Sequence, residues 1–151
     1  MRRVAILPLA VFVGVLTACS SSSSSGAASM GSSASPGGSP RVVTVTMPDE
    51  LRFEPDAFTF SVGETVRFEV TNAGAIQHEF FIGDADAQAA HETAMVEMGG
   101  MAHDEPNGIS VGPGETKELE HTFATAGDIL IGCHEPGHYA GGMVATVTVN
   151  G

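Results

Sequence analysis

Alternating apolar and polar residues define a series of short segments beyond residue 40. In one of them Val66, Phe68 and Val70 alternate with polar neighbours, and most of the others are rich in β-branched residues. A period of two is typical of strands that bury one face, and turns containing Gly, Pro or Asn separate the segments. The predicted strands are 42–46, 58–62, 65–70, 78–82, 109–111, 117–123, 128–132 and 144–149.

Two of these segments, 58–62 and 65–70, are separated only by a Gly63-Glu64 turn. We therefore expect them to form a hairpin-like pair whose apolar residues share the inner face. The residues expected to face inward are Phe58, Phe60, Val62, Val66, Phe68 and Val70.

The period changes in segment 84–98, which is rich in alanine and other good helix formers and ends at Gly99-Gly100. This segment is predicted to be a single helix. Short alternating strands with one helix between them predict an all-β fold, namely an antiparallel Greek-key β-sandwich with one inserted short α-helix.

The N-terminal segment has the pattern of a secretory signal. Two arginines are followed by the apolar run 4–16, which is too short to span a bilayer. The ending Leu16-Thr17-Ala18-Cys19 resembles the lipobox of bacterial lipoproteins. By that resemblance, residues 1–18 are a lipoprotein signal peptide and Cys19 is the lipidated residue that anchors the protein to the membrane. In the alternative interpretation, the signal is an ordinary cleaved one and Cys19 is there by coincidence.

Segment 19–40 consists almost entirely of Ser, Gly, Ala and Pro, which predicts a flexible linker. The remaining residues, 41–151, are enough for one domain with its own core, and we expect a monomer. If Cys19 is lipidated, Cys133 is the only other cysteine, so no intramolecular disulfide forms.

The charge of the chain is strongly negative, −12 at pH 7, and it becomes −14 when Arg2 and Arg3 leave with the signal. Such an acidic surface argues against nucleic acid as a partner. It suits encounter with a basic protein partner or attraction of cations, although solubility alone would also explain it.

The chemically distinctive segment is 132–143, where Cys133, His138 and Met143 have the spacing C-x4-H-x4-M between two predicted strands. A thiolate, an imidazole and a thioether suit copper better than zinc, magnesium or calcium. A trigonal His2Cys set needs one more imidazole, and His78 at the head of a predicted strand is the best candidate. Taken singly, each residue could instead be a buried apolar or hydrogen-bonding residue of the core.

This arrangement resembles the cupredoxins, the plastocyanin, azurin and rusticyanin-like blue (type 1) copper proteins, over about residues 41–151. The resemblance implies one copper ion (Cu+/Cu2+) with His78, Cys133 and His138 as equatorial ligands and Met143 as the axial ligand. It also implies a one-electron carrier that meets redox partner proteins through the edge of His138. With the signal and anchor, the carrier would lie at the outer (periplasmic or cell-surface) face of the cytoplasmic membrane. Four protein ligands leave no open metal position, so we expect no enzyme activity.

Two residues depart from the pattern of that family. Glu79 follows the first histidine, where many members have Asn or a similar residue that braces the loop. His134 directly follows Cys133. Because neighbouring strand residues point to opposite faces, His134 could address a second metal, but we expect it to be a surface residue.

A second group of metal-binding residue types is His91, Met95, Met98, Met101 and His103. The first three fall on one face of the predicted helix, so Met95 and Met98 would pack the helix onto the sandwich. Alternatively, the group forms a soft copper(I) or silver(I) site and resembles the Met/His-rich inserts of some periplasmic copper-tolerance cupredoxins. That alternative predicts an extracytoplasmic copper-binding or copper-tolerance protein instead of an electron carrier.

Overall fold

The computed structural model of the protein describes residues 39–151. The predicted signal peptide, the predicted lipidation at Cys19 and nearly all of the predicted linker lie outside the described residues. Within them the chain forms eight strands and one helix. In chain order these are β1 (Arg41–Met47), β2 (Ala57–Ser61), β3 (Thr65–Asn72), β4 (His78–Gly83), α1 (Ala85–Met98), β5 (Gly108–Val111), β6 (Thr116–Thr122), β7 (Gly127–Gly132) and β8 (Val144–Asn150).

The strands form two sheets that bury a common core. One sheet has the strand order β1-β3-β6 and the other has the order β2-β8-β7-β4-β5. Aromatic rings from both sheets meet between them: the centroid of Phe68 on β3 lies 5.9 Å from that of Phe60 on β2 and 5.2 Å from that of Phe80 on β4. The predicted all-β sandwich with one inserted helix is therefore confirmed.

The predicted hairpin between 58–62 and 65–70 is wrong, because β2 and β3 belong to different sheets. β2 pairs in parallel with β8, while β3 pairs in parallel with β1 and antiparallel with β6. The chain crosses between the sheets at Val62 and Gly63, whose N–H groups donate to the carbonyls of Asn150 and Phe123, both at 2.8 Å. Both sheets bury their inner faces. Alternation of apolar and polar residues therefore cannot distinguish two strands paired in a hairpin from two consecutive strands that lie in different sheets.

The crossing has two consequences. The two parallel pairs make the sandwich mixed, where a wholly antiparallel one was predicted. Val62, expected to face inward, is instead 44% exposed, because β2 ends one residue earlier. The other five residues expected to face inward are buried.

Helix α1 covers the outer face of β4 and β7. It begins after Asp84, whose carboxylate accepts a hydrogen bond from the Ala87 N–H at 2.8 Å, and it ends at Gly99 in the left-handed conformation (φ 68°). The Gln88 amide donates to the carbonyls of Phe81 on β4 (3.3 Å) and Leu130 on β7 (3.0 Å). The first five residues of β4 are consequently all buried. The one helix of the described residues is not long and apolar enough to cross a membrane.

Candidate metal centre

Three of the four predicted copper ligands converge at one end of the larger sheet. His78 begins β4, Cys133 follows the end of the neighbouring β7, and His138 lies in the loop between β7 and β8. The sulfur of Cys133 is 3.9 Å from Nδ1 of His78 and 3.3 Å from Nδ1 of His138. The three donor atoms lie within 4.8 Å of one another, so a single ion can contact all of them.

The loop that carries His138 is held by its own hydrogen bonds. The N–H of His138 donates to the Glu135 carbonyl (2.9 Å), and the turn continues through Gly137, whose φ is 84°. The N–H of Met143 donates to the His138 carbonyl (3.0 Å), and the Cys133 N–H donates to the Met143 carbonyl (3.2 Å). Met143 is completely buried and is tied through its backbone to two of the predicted ligands. Its role as the axial ligand stays a prediction.

The burial of the donors determines their protonation. Cys133 and His78 are fully buried, whereas His138 is partly exposed. Burial raises the pKa of the Cys133 thiol to about 12, although the Glu79 N–H donates to its sulfur at 3.3 Å. Burial, and secondarily the nearby His138, lower the pKa of His78. His78 is therefore ready to bind a metal as a neutral imidazole, while Cys133 must first lose its proton.

The residues present fit a copper ion. A thiol and two imidazoles point their donor atoms at one another, and the chain adds a buried thioether residue next to them. Nδ1 of His78 faces the Cys133 sulfur, while its Nε2 is buried without a hydrogen-bond partner among residues 39–151. A histidine kept only for structure would be expected to use its ring nitrogens in hydrogen bonds. The geometry therefore favours a ligand role for His78.

His134 is not the surface residue that was expected. Its side chain is buried under α1, where Nδ1 lies 2.6 Å from a carboxylate oxygen of Glu92 and Nε2 lies 2.7 Å from Oε1 of Gln88. The ring also stacks on Tyr139 with a centroid distance of 4.5 Å. The side chain points away from Cys133, but helix α1 covers the outer face of the larger sheet and buries His134 there. The spacing of Gln88 and Glu92, one helical turn apart, was the available signal.

Glu79 connects the two faces of β4. Its side chain is only 1% exposed, and its oxygen Oε2 accepts the His134 N–H at 3.1 Å, while its own N–H donates to Cys133. The other oxygen, Oε1, lies 2.8 Å from Nε2 of His91 on α1. Glu79 therefore braces the ligand loop from β4, in the position where the family resemblance led us to expect an amide.

The second group of predicted metal-binding residues is brought together only in part. The rings of His91 and His103 lie 5.7 Å apart, and the Glu105 oxygen Oε1 lies 3.2 Å from Nδ1 of His91 and 2.8 Å from Nε2 of His103. Met95 is buried, as expected for a residue that packs the helix. By contrast, Met98 is half-buried and Met101 is 63% exposed. Sequence reasoning missed Glu105, although its spacing of two residues from His103 was a possible signal.

Comparison with known proteins agrees with this geometry. The family model "Copper binding proteins, plastocyanin/azurin family" matches residues 41–150. The chain is 40% identical over 109 residues to the copper-resistant cuproprotein CopI of Rubrivivax gelatinosus, covering 72% of this chain and 66% of that protein, slightly less than two thirds. It is 36% identical over 138 residues to the protein of the same name from Pseudomonas aeruginosa, covering 72% of this chain and 76% of that protein.

A solved structure is similar as well. Auracyanin A, a "blue" copper protein from the bacterium Chloroflexus aurantiacus, superposes with a TM-score of 0.61 at 29% identity. The superposition covers 74% of this chain and all of auracyanin A (100%).

Proposed function

Since the chain belongs to the plastocyanin/azurin family of copper-binding proteins, we propose that it is an extracytoplasmic copper-tolerance protein with one type 1 copper centre. In this proposal His78, Cys133 and His138 would hold the ion through two imidazoles and a thiolate, and the thioether of Met143 would be the fourth ligand. The observation that carries it is the convergence of one thiol and two imidazole nitrogens within 4.8 Å. The tolerance role is supported by the two relatives that are named copper-resistant cuproproteins.

Each residue of the centre has a separate task. When bound, copper supplies a reversible one-electron couple. To hold copper, Cys133 would release its proton to solvent and bind as thiolate, and the Glu79 N–H, which donates to the sulfur at 3.3 Å, would stabilise the resulting charge. Pro136, with its fixed φ, and Gly137, with its positive φ, hold the turn that presents His138. Because the sheet and the hydrogen-bonded loop fix these side chains, their positions would change little when the charge on a bound ion changes.

The location belongs to the same proposal. The predicted signal 1–18 directs the chain out of the cytoplasm, lipidation of Cys19 anchors it, and the linker 19–40 lets a monomeric domain reach over the membrane surface. The acidic chain, with a net charge of −14 once Arg2 and Arg3 leave with the signal, attracts cations to the neighbourhood of the site and disfavours nucleic acid.

The second candidate function is a one-electron carrier between redox partner proteins. It is favoured by His138, which is partly exposed beside the half-buried Tyr139 and so offers a route from the surface to the buried Cys133. The likeness to auracyanin A, a "blue" copper protein, also supports it. In either function four protein ligands would leave no open position for a substrate, so we propose no enzyme activity.

Copper titration followed by absorption and EPR spectroscopy tests the type 1 centre. We expect one equivalent of Cu2+ to produce an intense thiolate-to-copper band that Cys133→Ser abolishes. Cys19→Ser is the matched control, because it removes the other cysteine and should leave the band unchanged. A band that survives Cys133→Ser would contradict the proposal.

A growth experiment separates tolerance from electron transfer. We expect a strain that lacks the protein to grow normally without added copper and poorly with it. Restoring the gene should rescue growth in copper, whereas the Cys133→Ser gene should not. A respiratory defect without added copper would instead favour the carrier function.

A further inference from the structure

We propose that Glu79, His91 and His103, supported by Glu105, form a second metal site for a borderline divalent cation such as Cu2+ or Zn2+. The site lies between β4, helix α1 and the segment that follows the helix, on the face of β4 opposite the core. It is separate from the Cys133 centre and shares none of its ligands. Its donors are imidazole nitrogens and carboxylate oxygens, unlike the methionine-rich site considered from the sequence.

The distances suit one small ion. A donor atom from each of Glu79, His91 and His103 lies within 4.8 Å of the other two. Oε1 of Glu79 is 2.8 Å from Nε2 of His91, a hydrogen-bond distance that would widen by about 0.5–0.8 Å when both atoms bind one tetrahedral ion at about 2.0–2.2 Å. Oε1 of Glu105 is 2.8 Å from Nε2 of His103 and provides a further oxygen at the partly open side. The site is therefore buried on the strand side and accessible on the side of His103.

The charge balance also favours a cation. The Glu79 side chain is 1% exposed, and a buried carboxylate is costly unless a positive charge lies beside it. The four Arg and Lys residues of the described part of the chain form ion pairs elsewhere, with Glu64, with Glu50 and Glu54, with Glu118 and Glu120, and with Asp104. No Arg or Lys of the described residues therefore pairs with Glu79, and a metal ion held between Glu79, His91 and His103 would supply the positive charge.

The donor types determine which ions are expected. Imidazole and carboxylate ligands suit Zn2+ and Cu2+, whereas thioethers select copper(I). Met101 is 63% exposed, so its thioether is not enclosed with the imidazoles. Met95 and Met98 are more buried, and substituting them would be a further control for a thioether site that binds copper(I).

Glu79 also links the two sites, so metal binding at the second site should change the copper spectrum of the first. Its N–H donates to the Cys133 sulfur, and its Oε2 accepts the N–H of His134, the residue after Cys133. A divalent cation at Oε1 would place positive charge near the thiolate. We therefore expect the thiolate-to-copper band to shift and the reduction potential of the first centre to rise. This readout alone rests on the proposed function of the Cys133 centre.

The test uses the full-length protein loaded with one equivalent of Cu2+ and then titrated with Zn2+ by calorimetry. We expect one further Zn2+ to bind. His103→Gln should weaken that binding by more than about 10-fold, because removing even an outer partner of a ligand costs about 10–100-fold. His103 is the first choice because its side chain is 30% exposed, so the variant should fold. Glu79→Gln should weaken binding and also remove the shift of the copper band.

Two controls make the outcome decisive. His121→Gln, on the other sheet, and Met101→Leu should leave Zn2+ binding unchanged. The proposal is overturned if no Zn2+ or Cu2+ binds beyond the first equivalent, or if binding is insensitive to His103→Gln. Loss of binding through Met101→Leu would overturn it in favour of a thioether site. The Cys133 band, recorded on the same samples, shows independently whether the first centre has formed.

Discussion

Replacing His134 with alanine is expected to lower the free energy of unfolding of the metal-free protein by about 3–5 kcal/mol. The imidazole is buried and lies 2.7 Å from Oε1 of Gln88. Its loss leaves that oxygen without this partner inside the protein, at a cost of about 1–3 kcal/mol. The stack on Tyr139 and the edge contact with Phe81 contribute about 1 kcal/mol beyond the buried area. The cavity accounts for the remainder, while the partner Glu92 is 38% exposed and can turn to solvent.

Urea unfolding of the metal-free protein, followed by circular dichroism, measures the effect. The matched control is His121→Ala, which makes the same chemical change on the other sheet. His121 is only half-buried, with its ring 4.8 Å from that of Phe123, so we expect a loss of about 1 kcal/mol.

The comparison also decides between a structural and a metal-binding role for His134. If His134→Ala and His121→Ala lowered the free energy of unfolding equally, the conclusion that His134 is buried between α1 and the larger sheet would be refuted. A His134→Ala protein that keeps its metal-free stability but loses a second equivalent of copper would make His134 a ligand instead.

Three further predictions follow from the same contacts. Because burial raises the pKa of Cys133 to about 12, binding of Cu2+ at neutral pH should release about one proton, measured by calorimetry in buffers of different ionisation enthalpy. A proton count that Cys133→Ser leaves unchanged would contradict this. Asp84→Ala should cost about 1 kcal/mol of unfolding free energy because it removes the helix cap, whereas Asp86→Ala should cost less; equal losses would exclude the cap. Phe60→Ala should cost about 3–5 kcal/mol, against less than about 0.5 kcal/mol for the exposed Val62→Ala, and similar values would place Phe60 outside the core.

Local features of the sequence were enough to predict the strands and the helix. The alternation in β3 places Val66, Phe68 and Val70 in the core because side chains of a strand alternate between its faces. The helix ending before Gly99 was predictable because a segment rich in alanine and other good helix formers, closed by two glycines, is a local signal.

Features that depend on packing between distant elements were not predictable in the same way. The crossing from β2 to β3 preserves the alternation, so only the partners β8 and β1 reveal it. The burial of His134 depends on α1 docking over β4 and β7, and alternation says only that the residue faces away from Cys133. The convergence of His78 with Cys133 was predicted from copper chemistry, which calls for a second imidazole, and from the family resemblance, since no local pattern joins residues so far apart in sequence.

The carboxylate of Glu79 connects the ligand loop to His91 on helix α1. An amide at this position could brace the ligand loop equally well, because bracing needs only one oxygen to accept the His134 N–H. The second oxygen, Oε1, faces helix α1, where it lies 2.8 Å from Nε2 of His91. A carboxylate next to the proposed Cys133 centre would favour Cu2+ over Cu+ there, and a cation bound at His91 would offset that preference. If both proposed sites bind metal, a carboxylate here would therefore couple the occupancy of one face of β4 to the redox behaviour of the other, which an amide would not.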